Sequence, residues 1–126
     1  CSFHVLQKDV SDEDATWLDA SGVVLHDDDL VDFADTAALA ERMDRVVTID
    51  TSVAHLAGGL GLPGWVLLPA VADWRWGRGG TTSPWYPTLR LARQPARGDW
   101  APAVAAVAAA LRAEIHHAPA GPVGAA

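Results

Sequence analysis

Short apolar runs alternate with polar, turn-forming segments along the whole chain, a pattern that predicts alternating strands and helices. The predicted strands are residues 3–7, 22–26, 45–49, 65–69 and 88–92. The predicted helices are residues 12–19, 35–43, 52–60 and 100–115. Such alternation is typical of a parallel sheet with helices on both faces, so we expect a three-layer α/β fold, Rossmann-like or flavodoxin-like, with about five strands.

The segment of residues 45–69 predicts a buried strand, a polar turn, a short helix and a second strand. Apolar residues spaced for one helical face follow the turn, and Gly61 and Pro63 are expected to end the helix. A helix that begins at the carboxyl end of a buried strand favours anionic ligands at its N-terminus. The candidate ligand-binding residues of this turn are Asp50, Thr51, Ser52, Val53 and His55.

Each residue of this turn also has a purely structural interpretation. One of Asp50, Thr51 and Ser52 caps the helix whether or not a ligand binds, and Asp50 orients the turn or meets a sugar hydroxyl rather than a phosphate. His55 either donates to a pyrophosphate oxygen or is partly buried against a backbone carbonyl. Gly58, inside the helix, is best explained by close backbone packing.

The long segment of residues 70–87 lacks periodicity but is rich in aromatic side chains. We expect it to fold over the carboxyl edge of the sheet, as a lid or on the side of an acceptor. Its aromatic rings either stack a base or sugar, contact another domain, or form a satellite core. No second carboxylate accompanies its one aspartate, so the catalytic residues stay unknown. The candidates are Asp73, Trp74, Arg75, Trp76, Trp85 and Tyr86.

Composition excludes several classes of protein. The net charge is −7, and thirteen of the sixteen acidic residues lie in residues 1–50, which argues against a nucleic-acid-binding protein. No apolar run is long enough to predict a membrane span, and the polar N-terminus does not resemble a signal peptide. One cysteine cannot form an internal disulfide, so we expect the cytoplasm. No metal-binding spacing, phosphate-binding glycine loop or other cofactor motif is present.

The turn and several other motifs resemble a known family. Residues 50–58 are similar to the Asp-Thr-(Gly/Ser)-x-x-His-x-Ala motif of heptosyltransferase-like glycosyltransferases, as found at the C-terminus of bacterial tetratricopeptide-repeat proteins. The resemblance covers roughly residues 3–112 and includes further motifs in the same order, namely Leu6–Lys8, Asp32–Leu39, Asp73–Trp76, Ser83–Pro87 and Gly98–Trp100.

This resemblance implies a GT-B fold whose C-terminal half holds a nucleotide-sugar donor. Residues 1–117 would form an incomplete version of that half, and residues 118–126 a flexible tail. His55 would lie near the donor phosphates, and Gln7 and Lys8 would border the nucleotide, although a solvated lysine is the simpler interpretation. Hexosyl, heptosyl or N-acetylglucosamine transfer would require the missing N-terminal half, and the chain begins with Cys1, which favours a fragment.

The implied order of strands omits one central strand of the family. It becomes 22–26, 3–7, 45–49, 65–69, 88–92, all parallel, with right-handed crossovers. The strand at 45–49 is then central, and the strand at 88–92 is an edge, where Arg90 and Arg93 discourage pairing with other chains. The order requires residues 3–7 to pair directly with residues 45–49. Otherwise two backbone edges stay open, and association with a second chain is expected.

Two functional hypotheses follow. The first is a domain that binds a nucleotide sugar or nucleoside diphosphate and is not catalytically complete alone. The second is a non-catalytic interaction or assembly domain that retains the same fold. Expected partners are the nucleotide, the N-terminal half or tetratricopeptide repeats of the same protein, and a second copy of the chain; no cofactor beyond the donor is expected.

Overall fold

The computed structural model describes residues 1–26 and 28–117 of the chain. It has an α/β fold in which three parallel strands lie in the order β1-β2-β3. The strands are β1 (Val46–Ile49), β2 (Gly64–Leu68) and β3 (Leu89–Arg93). The helices are α1 (Asp12–Ala20), α2 (Phe33–Glu41), α3 (Ser52–Gly59) and α4 (Ala101–His117), and Trp74–Trp76 form a 3₁₀ turn.

Hydrophobic packing covers both faces of this sheet. Val66 and Leu68 of β2 pack on one face with Ala54 and Ala57 of α3. The alternate β2 residues, Trp65 and Leu67, pack on the opposite face, where the following residues of α4 and β3 are buried with them: Ala92, Ala103 and Val107. Successive strand residues point to opposite faces, so this division produces three layers with helices on both sides, as predicted.

The first two predicted strands do not join the sheet. Residues 3–7 and 22–26 form one isolated parallel bridge, between His4 and Val24, with backbone hydrogen bonds on either side of it. The prediction of a self-contained five-strand order is therefore not confirmed. The backbone groups of Phe3 and Val5 form hydrogen bonds with Val24, and a cleft separates this segment from β1.

The position of β1 was predicted wrongly. Within residues 1–26 and 28–117, no strand pairs with the edge of β1 that faces away from β2, so β1 is an edge strand and not the central one. Its Val47 and Ile49 are 44% and 53% exposed. β3 is the other edge, as predicted, and the apolar run in β1 therefore does not mark a strand buried on both sides.

Helix boundaries agree with the sequence to within about two residues, with two corrections. α2 begins at Phe33, two residues earlier than predicted, because Asp32 caps it and Asp35, its third residue, completes a capping box. α4 begins at Ala101, one residue later than predicted. Gly61 adopts a φ of 69°, where glycine is favoured, and ends α3 as predicted.

One prediction concerns residues that the structure does not describe: the expected tail at residues 118–126 lies outside the described residues. Across residues 1–26 and 28–117, every helix is too short or too polar to cross a bilayer.

Candidate functional site

A cleft of about 920 Å³ lies between the carboxyl end of β1 and two short segments near the N-terminus. One wall is Thr48 and Ile49 of β1 with the start of α3, and the other is residues 5–8 and 31–36. The turn after β1 therefore contributes to a real cavity at the carboxyl end of the sheet, the place where open α/β sheets bind ligands.

The start of α3, at the cleft, has no side-chain cap. Thr51 holds the N-cap position with extended backbone angles, yet its side chain caps no backbone N–H. Its hydroxyl instead lies 3.4 Å from that of Thr48. Because the first N–H groups of a helix have no partner inside the helix, Ser52 and Val53 present donors at the wall of the cleft.

Gln7 and Lys8 line the same cleft, but the polar ends of both side chains have partners within the chain. The Gln7 side-chain amide donates to the carbonyl of Asp9 over 2.8 Å. The Lys8 ammonium donates to the carbonyl of Val31, also over 2.8 Å. Lys8 thus joins the two segments of the outer wall while its positive charge remains at the cleft.

His55 lies outside this cleft. Its Nδ1 is 2.9 Å from the Tyr86 hydroxyl, and its Nε2 is 3.7 Å from a carboxylate oxygen of Asp50. The ring also stacks on Trp76, with centroids 5.4 Å apart. The structure therefore divides the predicted site in two: Thr51, Ser52 and Val53 line the cleft, whereas Asp50 and His55 form a group with Tyr86.

His55 opens onto a second, smaller cavity of about 350 Å³, the aromatic pocket. Trp76 is buried in the core, and its indole Nε1 has no hydrogen-bond partner among the described residues. In contrast, Trp74 and Trp85 are 74% and 63% exposed. The interpretation as core therefore fits Trp76, and also Tyr86, which is half-buried against the same core, but not Trp74 or Trp85. The pocket is lined by His55, Trp74, Arg75, Trp76, Trp85 and Tyr86.

Tyr86 explains the glycine at position 58. A Cβ built at Gly58 would lie 2.3–2.8 Å from three ring atoms of Tyr86, so only glycine lets this ring rest on α3. A Cβ built at Gly59 would meet no other atom within 4 Å, outside its own helix backbone and chain neighbours. The predicted close packing is confirmed for Gly58, and it fixes Tyr86 beside His55.

Arg93, at the end of β3, anchors the aromatic segment. Its guanidinium donates to the carbonyls of Trp76, Gly77 and Gly80, among others. Asp73 accepts from the backbone N–H of Arg75 over 3.0 Å, so its carboxylate caps the 3₁₀ turn. The Arg75 guanidinium lies 5.7 Å from the centre of the Trp74 ring. The segment is ordered by these contacts rather than by regular structure.

Sequence analysis missed several contributions to these cavities. Phe33 and Thr48 line the cleft, and Phe33 is 63% exposed there. An aromatic residue directly after a possible helix cap, Asp32, is the sequence signal that could have identified Phe33. His55 and Tyr86 are 31 positions apart in the sequence, so no local sequence pattern predicts their contact. In the described part of the chain, no three His, Cys, Asp or Glu side chains are grouped to hold a metal ion.

Comparison with characterised proteins matches this chain to Protein FlbA of Caulobacter vibrioides (strain ATCC 19089 / CIP 103742 / CB 15). The two are 38% identical over 82 residues, which is 64% of this chain and 13% of FlbA. The chain thus spans a small part of the relative it matches. No model of a protein family matches the chain, and no solved structure matches it.

These comparisons overturn the resemblance drawn from the motifs. The identification as the C-terminal half of a heptosyltransferase-like glycosyltransferase, attached to tetratricopeptide repeats, is wrong: the relative found is FlbA, and no glycosyltransferase or repeat family matches. Residues 50–55 form the turn between a strand and a helix, and residues of these types suit such a turn in many α/β proteins, so the motif identifies the local structure better than the family.

Proposed function

We propose that this chain binds a nucleoside diphosphate, free or linked to a sugar, in the cleft between β1 and residues 5–8 and 31–36. The observation that carries the proposal is the cleft itself. It has the volume of a small-molecule site, it lies at the carboxyl end of a parallel sheet, and an uncapped helix start forms part of its wall.

The chemistry of the two walls matches the parts of such a ligand. The N–H groups at the start of α3 and the Lys8 ammonium suit a diphosphate. The exposed ring of Phe33 suits a base, since aromatic rings stack on nucleobases. His55 contacts Asp50 and Tyr86 and does not line the cleft, so we assign the anion contacts to Thr51, Ser52 and Val53.

The cleft is open to solvent, and affinity should be modest, in the range of roughly micromolar to millimolar Kd. A second polypeptide or domain that closes the cleft would raise the affinity and supply what catalysis requires. We therefore propose binding without turnover for the chain alone, in the cytoplasm, without a metal or further cofactor.

The test is isothermal titration calorimetry with ADP, UDP and GDP on the wild-type chain and on Thr51→Asp. An aspartate at this position can cap α3 and complement its dipole, so the fold is kept. The same carboxylate repels a diphosphate, and binding heat should disappear.

Ala101→Asp is the matched control, because it places an equal charge at the start of α4, away from the cleft. It should bind like the wild type. Equal affinity in Thr51→Asp and the wild type, or no heat with any nucleotide in the wild type, would reject the proposal.

A second candidate function is protein interaction, and the open edge of β1 favours it. Val47 and Ile49 are exposed on a strand whose outer edge is unpaired within the described residues. Edges of this kind pair readily with further strands. We propose that a strand from another polypeptide, or from a second copy, adds to β1 and brings the sheet closer to the five strands expected.

Sedimentation velocity of the wild type and Val47→Lys tests this candidate. A lysine on an edge strand discourages pairing and leaves stability within about 0.5 kcal/mol. Val104→Lys, on the exposed side of α4, is the matched control. Association in the wild type and control that is lost in Val47→Lys supports the candidate, whereas a monomeric wild type rejects pairing with a second copy.

A further inference from the structure

We propose that Asp50, His55 and Tyr86 form an acid–base relay, and that the aromatic pocket beside it binds a hydroxyl-bearing ring of the saccharide class. This inference does not rest on nucleotide binding, because none of the three relay residues lines the cleft. It rests on a row of three polar groups that ends in a pocket of its own.

The geometry gives the relay its direction. Asp50 lies 3.7 Å from Nε2 of His55, and its negative charge favours the proton on that nitrogen. We assign the unprotonated position to Nδ1, so that the Tyr86 hydroxyl, 2.9 Å away, is the donor. Carboxylate, imidazole and hydroxyl follow one another as in catalytic triads where histidine takes a proton from a hydroxyl group, but at 3.7 Å the carboxylate acts on the imidazole through its charge and not through a hydrogen bond.

The proton transfer balances without a further reactant. A ligand hydroxyl that donates to the Tyr86 oxygen passes its proton to Tyr86 as Tyr86 passes its own to Nδ1 of His55. The ligand oxygen becomes negatively charged, His55 becomes an imidazolium, and Asp50 stabilises that positive charge. Reversal of the same transfer restores the resting state.

The walls of the pocket define the class of ligand. The indoles of Trp74 and Trp85 are exposed and offer flat apolar faces for a ring. Tyr86, His55 and Arg75 place polar groups in the same cavity, and a ligand hydroxyl can bond to the Tyr86 oxygen, which retains acceptor capacity beside its bond to His55. The volume of about 350 Å³ suits a single ring, and a saccharide ring has both an apolar face and hydroxyl groups.

The relay is held rigidly, as an acid–base site requires. Tyr86 rests directly on Gly58 of α3, the helix that also carries His55. On the other side, Trp76 stacks on His55, and the backbone of Trp76 is bound by Arg93. Neither ring of the relay can turn without disturbing one of these contacts.

Acetylation by p-nitrophenyl acetate tests the relay, because Tyr86 is the single tyrosine of the chain. The Tyr86 oxygen attacks the acetyl carbonyl, its proton goes to His55, and p-nitrophenolate leaves. Mass spectrometry should locate the acetyl group on Tyr86. The labelling rate should fall severalfold in His55→Gln and Asp50→Asn. His26→Gln, a histidine remote from the pocket, is the matched control and should react like the wild type.

Equal labelling of Tyr86 in His55→Gln and the wild type would overturn the relay. Should either variant fail to fold, ¹⁵N NMR of the wild-type imidazole decides the question. The proton of neutral His55 should reside on Nε2, and a proton on Nδ1 would overturn the proposal.

Titration with methyl β-D-glucoside and methyl α-D-mannoside, followed through the indole N–H signals, tests the ligand class. Signals of Trp74, Trp76 and Trp85 should shift, while that of Trp17, exposed on α1, should not. No shift in the pocket, or equal shifts at Trp17, would overturn the saccharide assignment. Failure of nucleotide binding in the cleft would leave all of these results unchanged.

Discussion

The starts of α2 and α3 face the same cleft but are completed in different ways. At α2, the Asp32 side chain accepts from the N–H of Asp35, and the Asp35 side chain accepts from the N–H of Asp32. At α3, Thr51 provides no such bond. The matching N–H of α3, that of Ala54, donates to the Thr51 carbonyl, so the two helix starts differ chiefly in charge: two carboxylates lie at α2, and no side chain caps α3. Because carboxylates repel an anion, α3 and not α2 is open to an anionic ligand.

The largest expected effect on the free energy of unfolding comes from disturbing the contact between α3 and Tyr86. In Gly58→Ala the new methyl group would collide with the Tyr86 ring, and overpacking of this kind costs about 1–3 kcal/mol in the free energy of unfolding. Gly59→Ala, its neighbour, meets nothing and should stabilise the helix by about 0.5–1 kcal/mol. Urea unfolding measures both. Equal effects of the two substitutions would contradict the packing of Tyr86 on α3.

A smaller loss is expected at the capped helix start. Asp32→Ala removes the acceptor for the Asp35 N–H and breaks the capping box, at a cost of about 0.5–2 kcal/mol. Thermal unfolding in the same buffer as the wild type measures it. An unchanged melting temperature would show that α2 does not depend on its cap.

The smallest effect is expected at the open helix start. Thr51→Ala removes a hydroxyl that caps no N–H, so the free energy of unfolding should change by less than about 0.5 kcal/mol. Its unfolding is compared directly with that of Asp32→Ala. If Thr51→Ala costs as much as Asp32→Ala, then Thr51 is a working cap, and the contrast between the two helices is lost.

Local pattern was sufficient to predict the elements that carry the site. The apolar run before Asp50 and the helical spacing after Thr51 locate β1 and α3 to within one residue. The succession of β1, β2 and β3 across the sheet also follows from their order along the chain, since parallel neighbours joined by short crossovers usually lie side by side.

The remainder depends on contacts between distant residues. The apolar run of β1 predicts a strand, but not that a cleft, instead of backbone pairing, lies between β1 and residues 5–8 and leaves β1 at an edge. Similarly, a histidine at a helix start predicts an anion contact as readily as a link to Tyr86. The family resemblance failed for a related reason, because its motifs describe turns and caps that unrelated α/β proteins share.

Titration of the ¹⁵N-labelled chain with inorganic pyrophosphate compares the two helix starts in one experiment. We expect large, saturable shifts of the backbone N–H signals of Ser52 and Val53. Phe33 and Ala34, the equivalent positions of α2, should change little, because the carboxylates of Asp32 and Asp35 lie at that helix start and repel an anion. Equal shifts at both helix starts, or none at Ser52 and Val53, would show that the two helix starts do not differ in this way.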